Sequence, residues 1–119
     1  MYIVKIIIFF ILLVSTEPIT ASKKLIFING LDDIPLHQNL KIVKDSLIIF
    51  DTNEGKYITT ELTGEIKLTK VEEYYTKILP NLGWRIIEKN KYLRENKTLS
   101  IQFIQENEVL NVIFILIAN

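Results

Sequence analysis

Apolar and polar residues change period along this chain, and the changes mark its elements. Val71, Tyr74, Tyr75, Ile78, Leu79 and Leu82 recur at the spacing of one helix face, while Lys70, Glu72, Glu73, Thr76 and Lys77 take the other. Thr69 stands where an N-cap belongs, and Glu72 three residues on completes a T-x-x-E capping box. Pro80 lacks an N–H and restricts Leu79, so the helix stops or tightens there. Gly83 can take the left-handed turn that ends it. The pattern predicts one helix from Thr69, with Trp84 as the first residue of the next strand.

On both sides of that helix the period falls to two. Before it, Ile58, Thr60, Leu62, Ile66 and Leu68 alternate with Tyr57, Thr59, Glu61, Thr63, Glu65 and Lys67, a half-buried strand. Gly64 interrupts the buried side, which suggests a bulge or the close approach of the helix backbone. Leu47-Ile48-Ile49-Phe50 is apolar throughout and reads as a buried strand, followed by turn residues Asp51 to Gly55. Leu25 to Ile28 reads as a short strand ended by Asn29-Gly30. From there to Asp45 the chain is expected to be irregular, held down by Ile34, Leu36 and Leu40.

After the helix, four short strands follow at Trp84–Glu88, Tyr92–Glu95, Thr98–Gln105 and Val109–Ile117, separated by turn residues Asn90-Lys91, Asn96-Lys97 and Glu106-Asn107-Glu108. Turns this tight favour hairpins over a parallel crossover. The predicted fold is α+β: an antiparallel sheet of about five to six short strands with one helix on one face, in the order β-β-α-β-β-β-β. Its expected core joins Tyr75, Ile78, Leu82, Trp84, Leu99, Ile101, Val112 and Phe114. The last strand is apolar on both faces, with Leu110, Val112, Phe114 and Leu116 on one and Val109, Ile113, Ile115 and Ile117 on the other. One helix cannot cover both. Either Ile26–Ile28 and Leu47–Phe50 fold across the second face, the reading preferred here, or that face is open for binding or dimerisation.

The N-terminal segment obeys neither period. Lys5 precedes Ile6–Val14, an unbroken apolar run, and Ser15–Ala21 is polar and turn-prone. That is the build of a signal peptide, too short for the roughly 20 apolar residues of a membrane span. The expected division is a signal peptide at 1–21, an irregular segment at 22–46 packing on the domain, and the α+β domain at 47–119. Ile19 fits a cleavage site poorly, so an N-terminal membrane anchor is the alternative. Within 119 residues there is room for one domain.

Composition narrows the chemistry. Basic and acidic residues balance at 14 each, without the basic excess of a general nucleic-acid binder. With no cysteine there is no disulfide framework, thiolate zinc site or cysteine nucleophile.

Four segments carry a resemblance: Asp33-Ile34-Pro35-Leu36, Phe50-Asp51, Tyr75 with Leu79-Pro80-Asn81-Leu82-Gly83-Trp84, and Tyr92-Leu93-Arg94-Glu95 followed by Thr98-Leu99. Together they resemble a family of small exported alphaproteobacterial proteins of unknown function, with a tyrosine-bearing helix followed by L-P-x-L-G-W. The likeness spans about Asp33 to Leu116. Asn96 stands where that family has glycine after R-E, and asparagine also tolerates a left-handed turn. The resemblance implies a fold and export, and brings no catalytic or binding residues with it.

Candidate chemistry is sparse. His37, the single histidine, lies between Leu36 and Gln38-Asn39 and reads as a solvated loop residue; as a base it would need Asp33 or Asp51 beside it. Ser46 and Ser100 lack a nucleophile-elbow setting, and Asp32-Asp33 lacks the spacing of a calcium loop. Glu72-Glu73 and Glu106/Glu108 read as a solvated helix face and a hairpin loop. Arg85 and Arg94 flank Trp84 and Tyr92, either as outward strand residues or as an anion or stacking site. Trp84 reads as a core anchor under the helix end.

The function expected is that of a small exported, periplasmic, non-enzymatic domain binding a protein or envelope component, with no cofactor, metal or nucleic acid and no membrane span after cleavage. The candidate interaction surface is Arg85, Arg94, Ile113, Ile115 and Ile117. The alternatives are a self-associating structural subunit, for instance a homodimer, and a hydrolase-type enzyme using His37.

Overall fold

The computed structural model describes residues 24–119. Five strands precede the helix and four follow it: β1 (Phe27–Ile28), β2 (Leu31–Pro35), β3 (Lys41–Ile42), β4 (Ile48–Thr52), β5 (Gly55–Gly64), α1 (Leu68–Asn81), β6 (Arg85–Glu88), β7 (Lys91–Arg94), β8 (Lys97–Glu106) and β9 (Val109–Ala118). The α+β class and the antiparallel pairing agree with expectation. The strand count does not: nine replace five to six, and the additions lie before the helix. The proposed leader at 1–21 lies outside the described residues.

A seven-stranded antiparallel sheet runs in the order β3-β5-β9-β8-β7-β6, and β4 pairs with β5 on the same edge as β3. β9 is central, paired along one edge with β5 and along the other with β8, the placement expected of a strand apolar on both faces. The meander after the helix turns at three left-handed residues, Asn90 (φ 60), Glu95 (φ 57) and Asn107 (φ 56); at the second turn Glu95 takes the left-handed position expected of Asn96, and Lys97 already belongs to β8.

α1 and the β1–β2 hairpin lie on one face of this sheet. Leu110, Val112, Phe114 and Leu116 of β9 and Leu62, Leu99 and Ile101 of its neighbours form the floor, closed above by Val71, Tyr75 and Leu79 of α1 and by Ile28, Leu31, Ile34 and Leu40. Tyr75 meets Phe114 edge to face at 5.3 Å. Of the expected core, Ile78 and Leu82 are half-buried at its rim; the other residues are buried.

The described part of the segment expected to be irregular, residues 24–46, contains three strands. Its two aspartates and proline look like turn chemistry, but the Asn29-Gly30 turn, with Gly30 at φ 91, folds Leu31–Pro35 back onto Phe27–Ile28. Leu31 and Ile34 are thereby buried.

Two further expectations fail on local geometry. Thr69 does not cap the helix: the N-cap is Lys67, which makes no side-chain bond, and Leu68 N–H donates instead to Gln105 Oε1 at 2.7 Å. Glu72 leaves the capping box to accept from Asn90 Nδ2 at 3.0 Å. Gly64 is required by the backbone of Asn39, not by the helix, since a β-carbon there would collide with the Asn39 carbonyl oxygen.

The helix end behaves as its sequence predicts. Pro80 is tolerated in the last turn, Gly83 takes φ 95, Gly83 N–H donates to Pro80 O at 3.2 Å, and Trp84 N–H donates to Leu79 O at 3.1 Å. Those paired bonds close a left-handed cap.

Candidate functional site

Among the described residues, no helix lies on the second face of the sheet. Directly opposed residues share a face, so the pairing defines its rows. One row reads Phe50, Tyr57, Ile117, Thr98, Leu93, Arg85; the next reads Ile48, Thr59, Ile115, Ser100, Lys91, and a third Glu61, Ile113, Gln102. The isoleucines of β9, Ile113, Ile115 and Ile117, are half-buried. Neither preferred cover is in place. The β1–β2 hairpin packs on the helix side, and β4 pairs laterally with β5, so that Ile48 is 55% and Phe50 46% exposed. β4 was expected to be buried because it is apolar throughout; it is instead an edge strand. Phe50 stacks on Tyr57 at 5.2 Å between ring centres, which fixes the aromatic corner of this face.

Arg85, Ile113, Ile115 and Ile117 therefore share one surface, and Arg94 does not. Arg94 pairs with Lys97 on the helix side of the sheet. There its Nη1 lies 2.8 Å from Asp33 Oδ2, and Lys97 Nζ lies 3.1 Å from the same oxygen. The Arg94 guanidinium also lies 5.8 Å from the ring centre of Trp84, whose indole N–H donates to Asp33 O at 3.4 Å. The hydrogen bond from Lys97, helped by both positive charges and opposed by desolvation, holds the Asp33 carboxyl below its usual range. The segments bearing Asp33, Trp84 and Arg94, separate in sequence, thus meet at one latch between β2, the helix end and the β7–β8 turn. Trp84 is 1% exposed, a core anchor as its sequence setting predicts.

His37 is not a solvated loop residue: it is 8% exposed. Its Nδ1 accepts from Asn39 N–H at 3.0 Å, its backbone N–H donates to Tyr75 Oη at 3.2 Å, and Tyr75 Oη–H donates to Pro35 O at 2.8 Å. The ring meets Tyr74 edge to face at 4.7 Å. Because Nδ1 is an acceptor, the neutral ring carries its proton on Nε2. Burial lowers the His37 pKa, so the neutral form is favoured. These bonds go to backbone and tyrosine, not to Asp33 or Asp51. His37 and Tyr74 line a shallow hollow with Leu25, Leu36, Leu40 and Ile78.

Among the described residues, no three His, Cys, Asp or Glu side chains are grouped to hold a metal ion. No helix among them is long and apolar enough to cross a membrane. The apolar sheet face was legible in the alternation of β9; the exposure of Ile48 and Phe50 and the partnership of Asp33 with Arg94 and Lys97 had no local signal. No family model, curated protein or solved structure shows significant similarity to this chain.

Proposed function

We propose that this chain is an exported, non-enzymatic binding domain that recognises a protein or envelope component through the open face of its sheet. The observation that carries the reading is the apolar stripe of Ile113, Ile115 and Ile117 along β9, flanked by Tyr57, Thr59 and Glu61 of β5 and by Thr98, Ser100 and Gln102 of β8, with Phe50 beyond Tyr57, Leu93 and Arg85 beyond Thr98, and no element of the described chain over it. Burying aliphatic side chains contributes about 25 cal/mol per Å2, and a stripe already at the surface supplies such area without rearrangement. Export is the reading of residues 1–21, and the resemblance to small exported proteins supports the same address.

The hydrolase alternative requires His37 to move a proton with a carboxylate's help. The bonds made by His37 support a structural role, since protonating Nδ1 would break its bond with Asn39 N–H.

Capture from a bacterial envelope fraction tests the proposal. Wild-type protein is expected to retain a partner that Ile115→Lys loses while staying folded. Equal capture by a folded Ile115→Lys variant would remove the sheet face from the function.

A further inference from the structure

We infer that the chain pairs with a second copy of itself, edge to edge through β4, joining two sheets into one across a two-fold axis. This surface is the edge of the sheet, not its open face, and the inference does not depend on the partner proposed above.

The two outer edges of the seven-stranded sheet differ in how they are guarded. β6 is four residues long, is broken by a register shift between Ile86 and Glu88, and ends at Glu88, with Lys89 in the turn that follows. Short length, a bulge and charges are the devices that keep an edge from pairing. β4 pairs with β5 in unbroken register from Ile48 to Thr52, has neither bulge, proline nor lysine, and carries one charge, Asp51, after its apolar Ile48-Ile49-Phe50. Ile48, Ile49 and Phe50 are 55%, 54% and 46% exposed. An edge strand leaves alternate backbone N–H and C=O groups facing outward, and another extended strand satisfies them in register.

The side chains choose a second copy as that strand. A two-fold axis at Ile49 sets Ile49 against Ile49 of the second copy and Ile48 against Phe50 of the second copy. The face assignments then match: Ile48 and Phe50 lie on the open face and Ile49 on the helix side, so apolar meets apolar on both faces. Charge follows the same axis. Lys44, ahead of the strand, is brought toward Asp51 and Glu54 beyond the middle of the opposite strand; Asp45 beside it is the like charge in that arrangement. The joined sheets would place the Phe50–Tyr57 stacks of both copies on one continuous face.

The absence of cysteine makes the register directly readable. Protein expressed from the full sequence is expected to sediment as a dimer at micromolar concentration. Ile49→Cys should cross-link to a disulfide dimer on mild oxidation, because opposed Cα atoms about 4.5–5.5 Å apart lie within disulfide range. Ile48→Cys and the opposite-edge variant Ile86→Cys should cross-link far less. Ile49→Lys, at an exposed site, should weaken dimerisation about tenfold by setting like charges face to face, with an unchanged circular dichroism spectrum. A monomer at tens of micromolar, or cross-linking with no preference for position 49, would overturn the inference.

Discussion

Trp84 shows at single-residue scale how one side chain joins three segments. It lies against the core, its N–H reaches Asp33 O, and Arg94 covers its ring. Trp84→Ala removes the packing and leaves the Asp33–Arg94 latch without its platform. A loss of about 3–5 kcal/mol is expected in denaturant unfolding, a large share of the ~5–15 kcal/mol that holds a small domain. A loss under 1 kcal/mol would contradict the buried placement. His37 gives a pH prediction. Its pKa in the fold is lowered, so the unfolded chain binds the extra proton first as pH falls. The stability due to the neutral ring is complete above the unfolded value, 6.5, and is lost as pH falls from there through the folded pKa. His37→Gln keeps an acceptor near Asn39 N–H without the titration. Thermal melts between pH 7.5 and about 5 should decline for wild type and stay flatter for this variant. Parallel curves would assign the decline elsewhere.

Among the elements, α1 shows which signals are local and which are not. Its C-terminal end is determined within six residues: Leu79 and Pro80 accept, Gly83 turns left-handed, and Trp84 closes the cap. Gly83→Ala forces a side chain into φ 95 and to 3.1 Å from Arg94 Nε. A loss of about 1–2 kcal/mol should appear in chemical denaturation, with secondary structure retained; an unchanged midpoint would mean the cap is not held this way. The N-terminal end is decided by Gln105, 37 residues away in the chain, which binds Leu68 N–H and accounts for the unused capping box at Thr69 and Glu72. The long edge opposite β5 is divided in the same manner. Ser46 Oγ accepts from Glu61 N–H at 3.0 Å where the chain leaves the ladder between β3 and β4.

At the scale of the whole fold, the described residues leave the sheet with one covered and one open face. Both short N-terminal strands and the helix lie on the same side, where Ile28, Leu31, Ile34, Val71, Tyr75 and Leu79 share one core with the sheet. The open face tolerates a charge. At Ile115→Lys the aliphatic stem can lie between Thr59 and Ser100 with its ammonium in water. We expect less than about 1 kcal/mol of stability change from that substitution, so loss of partner capture would report on the surface and not on unfolding.

The alternation along β9, the helix period, the turn residues of the meander and the glycine cap are all encoded within a few residues of where they act. Each follows from local sterics and the period of its own segment, so sequence alone determined the α+β class, the hairpin order after the helix and most of the core. Placement of the N-terminal segments was not encoded locally. Asp32, Asp33 and Pro35 have turn-forming chemistry, yet pairing with β1 makes them strand; Leu47 to Phe50 has a buried composition, yet it borders β5 at an open edge. His37 sits in a polar neighbourhood in sequence and under Tyr74 and Tyr75 in space. Arg85 and Arg94, alike in sequence, fall on opposite faces because the strands carrying them are paired through Leu93 and Lys97. Tertiary structure decided these because burial and pairing depend on which surfaces meet, and a strand's own residues specify its period but not its neighbour.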